Sequence, residues 1–133
     1  MISIWIPDKG VGKGRPRFSN GRTYTDPRYS RWKSAAVIHL IASKVPKITY
    51  PCFVECHFIN FLSSDSDNLI GSVLDAMVEA EILSNDSSGY VVGCSGRFYK
   101  IRKQRNQPKC VGILVKVSAA TVQELEIDIK QFA

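Results

Sequence analysis

Asp65-Ser66-Asp67-Asn68-Leu69-Ile70-Gly71-Ser72-Val73-Leu74-Asp75-Ala76-Met77 is the stretch on which the rest of the chain is arranged. At about 100° per residue, Leu69, Ile70, Val73, Leu74, Ala76, Met77 and Ala80 make one broad apolar stripe, the pattern of a helix packed on a core. Asp67, Asn68, Gly71, Ser72, Asp75 and Glu79 fall on the opposite side, so the carboxylates are expected on the face the core does not claim. Asp65 and Asp67 stand at or just before the helix start, where the positive end of the helix dipole favours negative charge. Carboxylate oxygens held there suit a hard cation, although a solvated acidic face accounts equally well for Asp75, Glu79 and Glu81. An EF-hand counted from Asp65 would need an oxygen ligand at 69, glycine at 70 and glutamate at 76. Leu69, Ile70 and Ala76 exclude it.

Just upstream, Phe53 to Phe61 alternates, with Val54, Cys56 and Phe58 facing one way and Glu55, His57, Ile59 and Phe61 the other, the mark of a strand. A strand end followed by a helix start is a rigid place for carboxylates that still reach solvent. Downstream, residues 84–89 form a turn-rich loop carrying Asp86. Tyr90 to about Ile101 reads as a strand broken by Gly93 and Gly96, and Val111 to Val117 as another, with a basic-tipped hairpin as their natural junction. Thr121 to Phe132 places Val122, Leu125 and Ile129 at helical spacing. At the other end, Ile2 to Ile6 is a short strand ended by Pro7 and Asp8. Asp26-Pro27 signals a helix start for a helix running to about Lys44, whose apolar second half is expected to be buried. His39 within it reads as a packed histidine.

Charge is distributed unevenly. Residues 65–86 hold Asp65, Asp67, Asp75, Glu79, Glu81 and Asp86 and no Lys or Arg, in a chain of net charge +6. On one side stand Lys9, Lys13, Arg15, Arg17, Arg22, Arg28, Arg31 and Lys33, and on the other Arg97, Lys100, Arg102, Lys103, Arg105 and Lys109. Two basic blocks around an acidic one suggest metal ions held against a polyanion, with counterion release driving nucleic-acid binding. The glycine-rich arm Lys9 to Arg17 is not a phosphate-binding P-loop, because Pro7 and Gly14 stand where glycine and Ser/Thr are required. It reads as a flexible basic arm, with Phe18 and Tyr24 interleaved for base stacking.

A length of 133 residues with 44% apolar and 23% charged content fits one soluble domain. The start of the chain carries no signal-peptide pattern, so a cytoplasmic, DNA-associated protein is expected. Cys52, Cys56, Cys94 and Cys110 lack paired spacing and are expected as reduced core thiols, not as a zinc site. The expected fold is α/β of the α+β type. It is a single two-layer domain over residues 1–133, a mixed four-stranded sheet with helices packed on it in the order β-α-β-α-β-β-(α), and a basic arm at about 8–26.

Lys13-Gly-Arg-Pro-Arg17, Tyr24-Thr25 before a helix, Asp65-x-Asp67-Asn68-Leu69 with Val73-Leu74-Asp75-Ala76-Met77, and Asn85-Asp86 together resemble the RusA-type crossover junction endodeoxyribonucleases, small resolvases common in phages and prophages. The resemblance runs from about residue 9 to 92. It implies a homodimer that binds four-way (Holliday) junctions in DNA recombination and repair and cuts two strands symmetrically with Mg²⁺ or Mn²⁺. Asp65, Asp67 and Asp86 match the family's metal-binding catalytic carboxylates, with Asn68, Asp75 and Asn85 as supporting positions. Lys9, Lys13, Arg15, Arg17, Arg22, Tyr24, Arg28, Arg31, Lys100, Arg102, Lys103 and Arg105 are the expected DNA contacts. Two departures stand out: Gly71 occupies the place of a common family lysine four residues after the second Asp, and Asn85 that of a frequent acid. A cation from the arm, Lys13 or Arg15, would compensate for Gly71. Without compensation, the alternative is a weakly active or inactive branched-DNA binding protein. A nuclease acting on flaps or single strands would use the same residues. On length alone, the loop from the end of the helix only just returns Asp86 to Asp67, so a partner subunit is the other route to a complete site.

Overall fold

The computed structural model describes residues 1–14, 17–63, 65–103 and 105–132, and for Arg17 the backbone alone. Its elements are β1 (Ile2–Pro7), a small hairpin of β2 (Arg17–Ser19) and β3 (Arg22–Tyr24), α1 (Pro27–Ala42), β4 (Cys52–Ile59), α2 (Ser66–Glu79), β5 (Val91–Tyr99) and β6 (Gly112–Ala119). The main sheet is four-stranded and mixed, in the order β1-β6-β4-β5. β4 and β5 run parallel, with α2 as their crossover, whereas β6 is antiparallel to both β1 and β4. One domain of the α+β type results, with both helices against the sheet, as expected.

The strand alternation decides the core. Cys52, Val54, Cys56 and Phe58 of β4 are buried, as are Ile113, Val115 and Val117 of β6 and Ile4 and Ile6 of β1. Against them α2 lays Leu69, Val73, Leu74, Ala76 and Met77, and α1 adds Tyr29, Trp32, Ala36 and Leu40 at spacings of three and four. Asp26 caps α1 as expected: its Oδ1 accepts from the Arg28 backbone N–H at 2.9 Å, with Pro27 at the first helical position.

Four expectations are corrected. The second half of α1 is not buried all round, since Ile38 is 69% and Ile41 61% exposed. Only one stripe of α1 meets the fold: Ala36 and Leu40 are buried in the same turns whose opposite face leaves Ile38 and Ile41 in solvent. Residues 121–128 are not helical; a single 3-10 turn, Ile129–Phe132, follows them, and Val122, Leu125 and Ile129 are exposed. Those residues find no apolar surface to pack on, and a short amphipathic helix without a partner is marginal in water. Cys94 and Cys110 are exposed, while Cys52 and Cys56 are core thiols as expected; burial pushes the Cys56 thiol up to about 12. The fourth correction is topological: β5 and β6 are not a hairpin. β4 lies between them, so the basic stretch after Tyr99 crosses over the end of β4 to reach β6. The centre goes to β6 beside β4, with Ile113, Val115 and Val117 buried. The edge goes to β5, which is weakened by Gly93 and Gly96 and half-exposed.

Asn60 fastens that crossover. It sits just past β4 at φ 61°, a left-handed conformation that asparagine tolerates better than most residues. Its Nδ2 donates to the Cys110 carbonyl at 2.6 Å, and its Oδ1 accepts from the Ile101 N–H at 2.8 Å. Its own N–H donates to the Tyr99 carbonyl at 2.9 Å. Both ends of the basic crossover are thus held to one residue. A second turn carries the strongest local signal in the chain: Asn20-Gly21, both with positive φ, closes the β2/β3 hairpin.

Candidate active site

The arm expected to be flexible is strapped to α2 along residues 10–13. The Val11 carbonyl accepts from Ser72 Oγ at 2.8 Å, and the Lys13 N–H donates to the Asn68 carbonyl at 3.4 Å. A Cβ on Gly10 would lie 3.0 Å from Ile113 and 3.2 Å from Leu69, and one on Gly12 would lie 3.1 Å from Asn68, so a bare backbone lets the strap come this close. Ser72, expected on the polar face, is 0% exposed because the strap covers it. The Asn68 carbonyl stands 2.9 Å from the same hydroxyl, whose one proton is shared between the two acceptors.

From this strap Lys13 runs along α2 from the level of Asn68 to Asp75, where its Nζ stands 2.9 Å from Oδ2. The Tyr29 hydroxyl donates to the same oxygen at 2.6 Å. Burial pushes the Asp75 carboxyl up, but the hydrogen bonds from Tyr29 and Lys13 and the charges of Lys13 and Lys33 outweigh it and leave the group below its ordinary value. Tyr29 is driven the other way, by burial first and then by its bond to Asp75 and the nearby acids, so it stays a hydroxyl donor. Lys33 completes the cluster, 3.2 Å from Glu79 Oε2 and 5.5 Å from the Tyr29 ring centroid. Between Asp67 and Asp75 lies Gly71, and a Cβ there would meet nothing within 4 Å.

Asp65 is the N-cap of α2, yet its side chain makes no cap hydrogen bond; instead Oδ2 accepts from Asn68 Nδ2 at 3.1 Å. Its carboxylate lines a cleft of about 680 Å³ with Lys9, Arg28, Ser63 and Asn68. Asp67 lies in the first turn of α2, exposed. Asp86 lines a separate hollow of about 390 Å³ with Lys33, Asp75, Glu79 and Asn85, beyond the Lys13 contact. The Ile82 and Leu83 N–H groups both donate to the Met77 carbonyl, so the chain turns back tightly after α2. It regains the level of Asp75, which at 1.5 Å per residue is about 12 Å along the axis from Asp67. Among the described residues, no three His, Cys, Asp or Glu side chains converge as a metal cluster. The donors have the hard-oxygen chemistry magnesium takes, but Asp65, Asp67 and Asp86 do not close on a single ion as placed.

The expected DNA contacts that the structure describes lie on the arm, the hairpin, α1 and the crossover after β5. Lys9 and Arg28 flank Asp65, with Arg28 also 3.1 Å from Asp26. Arg22, Tyr24 and Arg31 are exposed on the hairpin and α1, and Lys100, Arg102, Lys103 and Arg105 on the crossover after β5. Arg15 and the side chain of Arg17 lie outside the described residues. Tyr29 and Asn60 were not singled out from sequence, and Lys33 was read only as part of the basic block; nothing local marks the pairing of Tyr29 or Lys33, because their partners lie more than forty residues away. Asn60 had one signal, an asparagine directly after a strand, where a left-handed turn is common.

The cleft beside Asp65 is thus lined by two cations, Lys9 and Arg28, and two carboxylates, Asp26 and Asp65, in a basic α+β domain. The family model described as Endodeoxyribonuclease RusA matches residues 7–118. The chain therefore belongs to the RusA endodeoxyribonuclease family, and the chemistry of that family is hydrolysis within a DNA strand. A search of curated proteins returned no significant match. No helix among the described residues is long and apolar enough to cross a membrane.

Proposed function

We propose that the protein is a metal-dependent endonuclease that resolves four-way DNA junctions by paired hydrolysis, as a homodimer, in DNA recombination and repair. The observation that carries the reading is the cleft that Asp65 shares with Lys9 and with Arg28, itself paired to Asp26: it brings a carboxylate beside cations that would seat a phosphate. Family membership supports the nuclease chemistry. Two symmetric cuts call for two sites related by a two-fold axis, hence the dimer. Asp65 and Asp67 are the proposed ligands for Mg²⁺ or Mn²⁺, with Asp86 as the third carboxylate. The bound ion would supply an activated water and neutralise charge on the leaving oxygen.

The protein's own residues do the rest. Lys9, Arg22, Arg28 and Arg31 neutralise backbone phosphates and set the register of the DNA. Asn68 orients Asp65. The Lys13 ammonium pairs with Asp75, one helical turn beyond the open position at Gly71, so in this reading the arm supplies the cation that residue 71 lacks, and Tyr29 holds Asp75 ready to receive it. A second reading, a branched-DNA binder with little turnover, is favoured by Gly71 and by the separation of Asp86 from Asp65.

Cutting of four-way, flap and linear substrates in Mg²⁺ separates these readings. Preference for the four-way junction, abolished by Asp67→Asn while binding persists, is the expected result. Equal cutting of flaps or linear duplex would overturn junction specificity, and tight junction binding without cutting would establish the second reading.

A further inference from the structure

The crossover that replaced the expected hairpin encloses a cleft of about 680 Å³ at the end of β4, within the roughly 300–1,000 Å³ of small-molecule sites. Its apolar walls include Phe61, Leu62, Phe98 and Ile101. Phe58, Phe61 and Phe98 pack together beneath it, with Phe61 and Phe98 edge-on at 87° and 6.4 Å between centroids. Over this floor Leu62 is 80% exposed, an unusual position for a leucine in a chain with a complete core. Around it stand Lys100, Arg102, Lys103 and Lys109, and no acid lines the cleft.

An apolar, aromatic floor under a purely cationic rim fits one ligand chemistry: a flat apolar ring attached to an anion. Nucleic-acid strands present this pairing wherever a base leaves its stack. The position agrees. Leu62 lines this cleft, and Ser63, the next residue, lines the one holding Asp65. Three residues of chain, at most about 11 Å, separate Leu62 from Asp65, roughly the reach of one or two nucleotides. The walls are also fixed before DNA arrives, because Asn60 ties the crossover at Ile101 and Cys110.

We infer that this cleft is a nucleobase pocket, which captures one unstacked base of branched DNA beside the phosphate presented to Asp65. Duplex DNA has no base to offer it, so the pocket makes branch recognition a matter of local unstacking, least costly at a crossover, gap or mismatch. Lys100 and Lys103 hold the flanking phosphates, while the aromatic floor accepts any base. The inference rests on the reading of the protein as a branched-DNA nuclease, and the test is built to tell the two apart.

The experiment places 2-aminopurine at each position flanking the crossover of a synthetic four-way junction, and opposite a one-nucleotide gap in a duplex. Emission is read on adding the protein without divalent ions. Wild type should raise emission several-fold at one position per arm pair and at the gap. The double variant Leu62→Ser/Ile101→Ser, altered only at exposed positions and checked for folding by circular dichroism, should abolish the rise. It should weaken junction binding about tenfold and leave intact duplex binding unchanged. No rise with saturating wild type, or an equal rise with the variant, would overturn the pocket. Cutting measured on the same junction with Mg²⁺ reports separately: cutting without a rise sinks the pocket alone, and a rise at the gap without junction cutting sinks the resolvase reading alone.

Discussion

Replacing Asn60 should loosen the crossover that bears the basic rim, and the size of the effect follows from its three roles. The side chain makes two hydrogen bonds, to the Cys110 carbonyl and from the Ile101 N–H. Both are near solvent, so each is worth about 0.5–1 kcal/mol net. The backbone stands at φ 61°, which costs a residue with an ordinary Cβ about 1 kcal/mol more than asparagine. Asn60→Ala should therefore lose about 2–3 kcal/mol. Asn60→Gly relieves the conformational part and should lose about 1–2 kcal/mol, with added unfolded-state entropy included. The two variants divide the effect between side-chain bonding and backbone conformation. Urea denaturation gives both values, and hydrogen exchange at the Ile101 amide reports the local release directly. If Asn60→Ala lies within 0.5 kcal/mol of wild type, or if the Ile101 amide exchanges no faster, the residue is not the fastener described.

Further outcomes concern the Asp75 cluster, the strap and residues 121–132. The Asp75 carboxyl lies below its ordinary value in the folded protein, so its contribution to stability is complete above about pH 3.8 and is lost as pH falls through the lower folded value. In Asp75→Asn the loss of urea midpoint between pH 6 and pH 3 should be smaller than in wild type, and an unchanged loss would count against the Lys13 and Tyr29 contacts. Lys13→Met should lower junction cutting about 10- to 100-fold with a much smaller effect on binding, and Gly71→Lys in that background should restore part of it. Equal cutting by Lys13→Met and wild type would remove Lys13 from the reaction. Ser72→Ala leaves the Val11 carbonyl without its donor and should destabilise by about 1–2 kcal/mol in thermal or urea melts. Deleting residues 121–133 should shift stability by less than about 1 kcal/mol, since residues 121–132 are exposed; a larger loss in the same melts would show that they pack on the fold.

Local pattern carried most of the fold. The stripe Leu69, Val73, Leu74, Ala76 and Met77 marked α2, the alternation through Val54, Cys56 and Phe58 marked β4, and Asp26-Pro27 marked the start of α1. What a strand pairs with is not written in its own alternation. Residues 91–99 and 112–119 both read as strands, yet the choice between hairpin and crossover was made by β6, whose buried Ile113, Val115 and Val117 place it in the centre of the sheet. Ser72 was misplaced for a related reason: at the border of the apolar stripe its burial depends on whether another segment covers it, and the strap of Gly10, Val11 and Gly12 does. The terminal segment shows the same limit: Val122, Leu125 and Ile129 match a helix, but all three are exposed, and without a packing surface that spacing is not enforced.

At the site, residue types were legible and convergence was not. Asp65 and Asp67 stand at the start of α2 as their spacing implied, because a helix start is a local property. Asp86 depends on how the chain turns after Glu79, which the Met77 carbonyl and the docking of Ile82 onto Ile48 decide. A cation to compensate for Gly71 was expected from Lys13 or Arg15; Lys13 pairs with Asp75, and Arg15 lies outside the described residues. A flexible arm gives no position for either side chain, whereas the strap holds the Lys13 backbone at Asn68 and its ammonium pairs with Asp75.

The central claim is that this protein resolves junctions with the carboxylates at the start of α2, and product mapping on a synthetic four-way junction with Mg²⁺ tests it most directly. The account predicts paired nicks at symmetric positions on opposing strands for wild type, absent in Asp65→Asn and Asp67→Asn although both still bind the junction. Unpaired nicks scattered along the arms, or paired nicks that survive both substitutions, would contradict it.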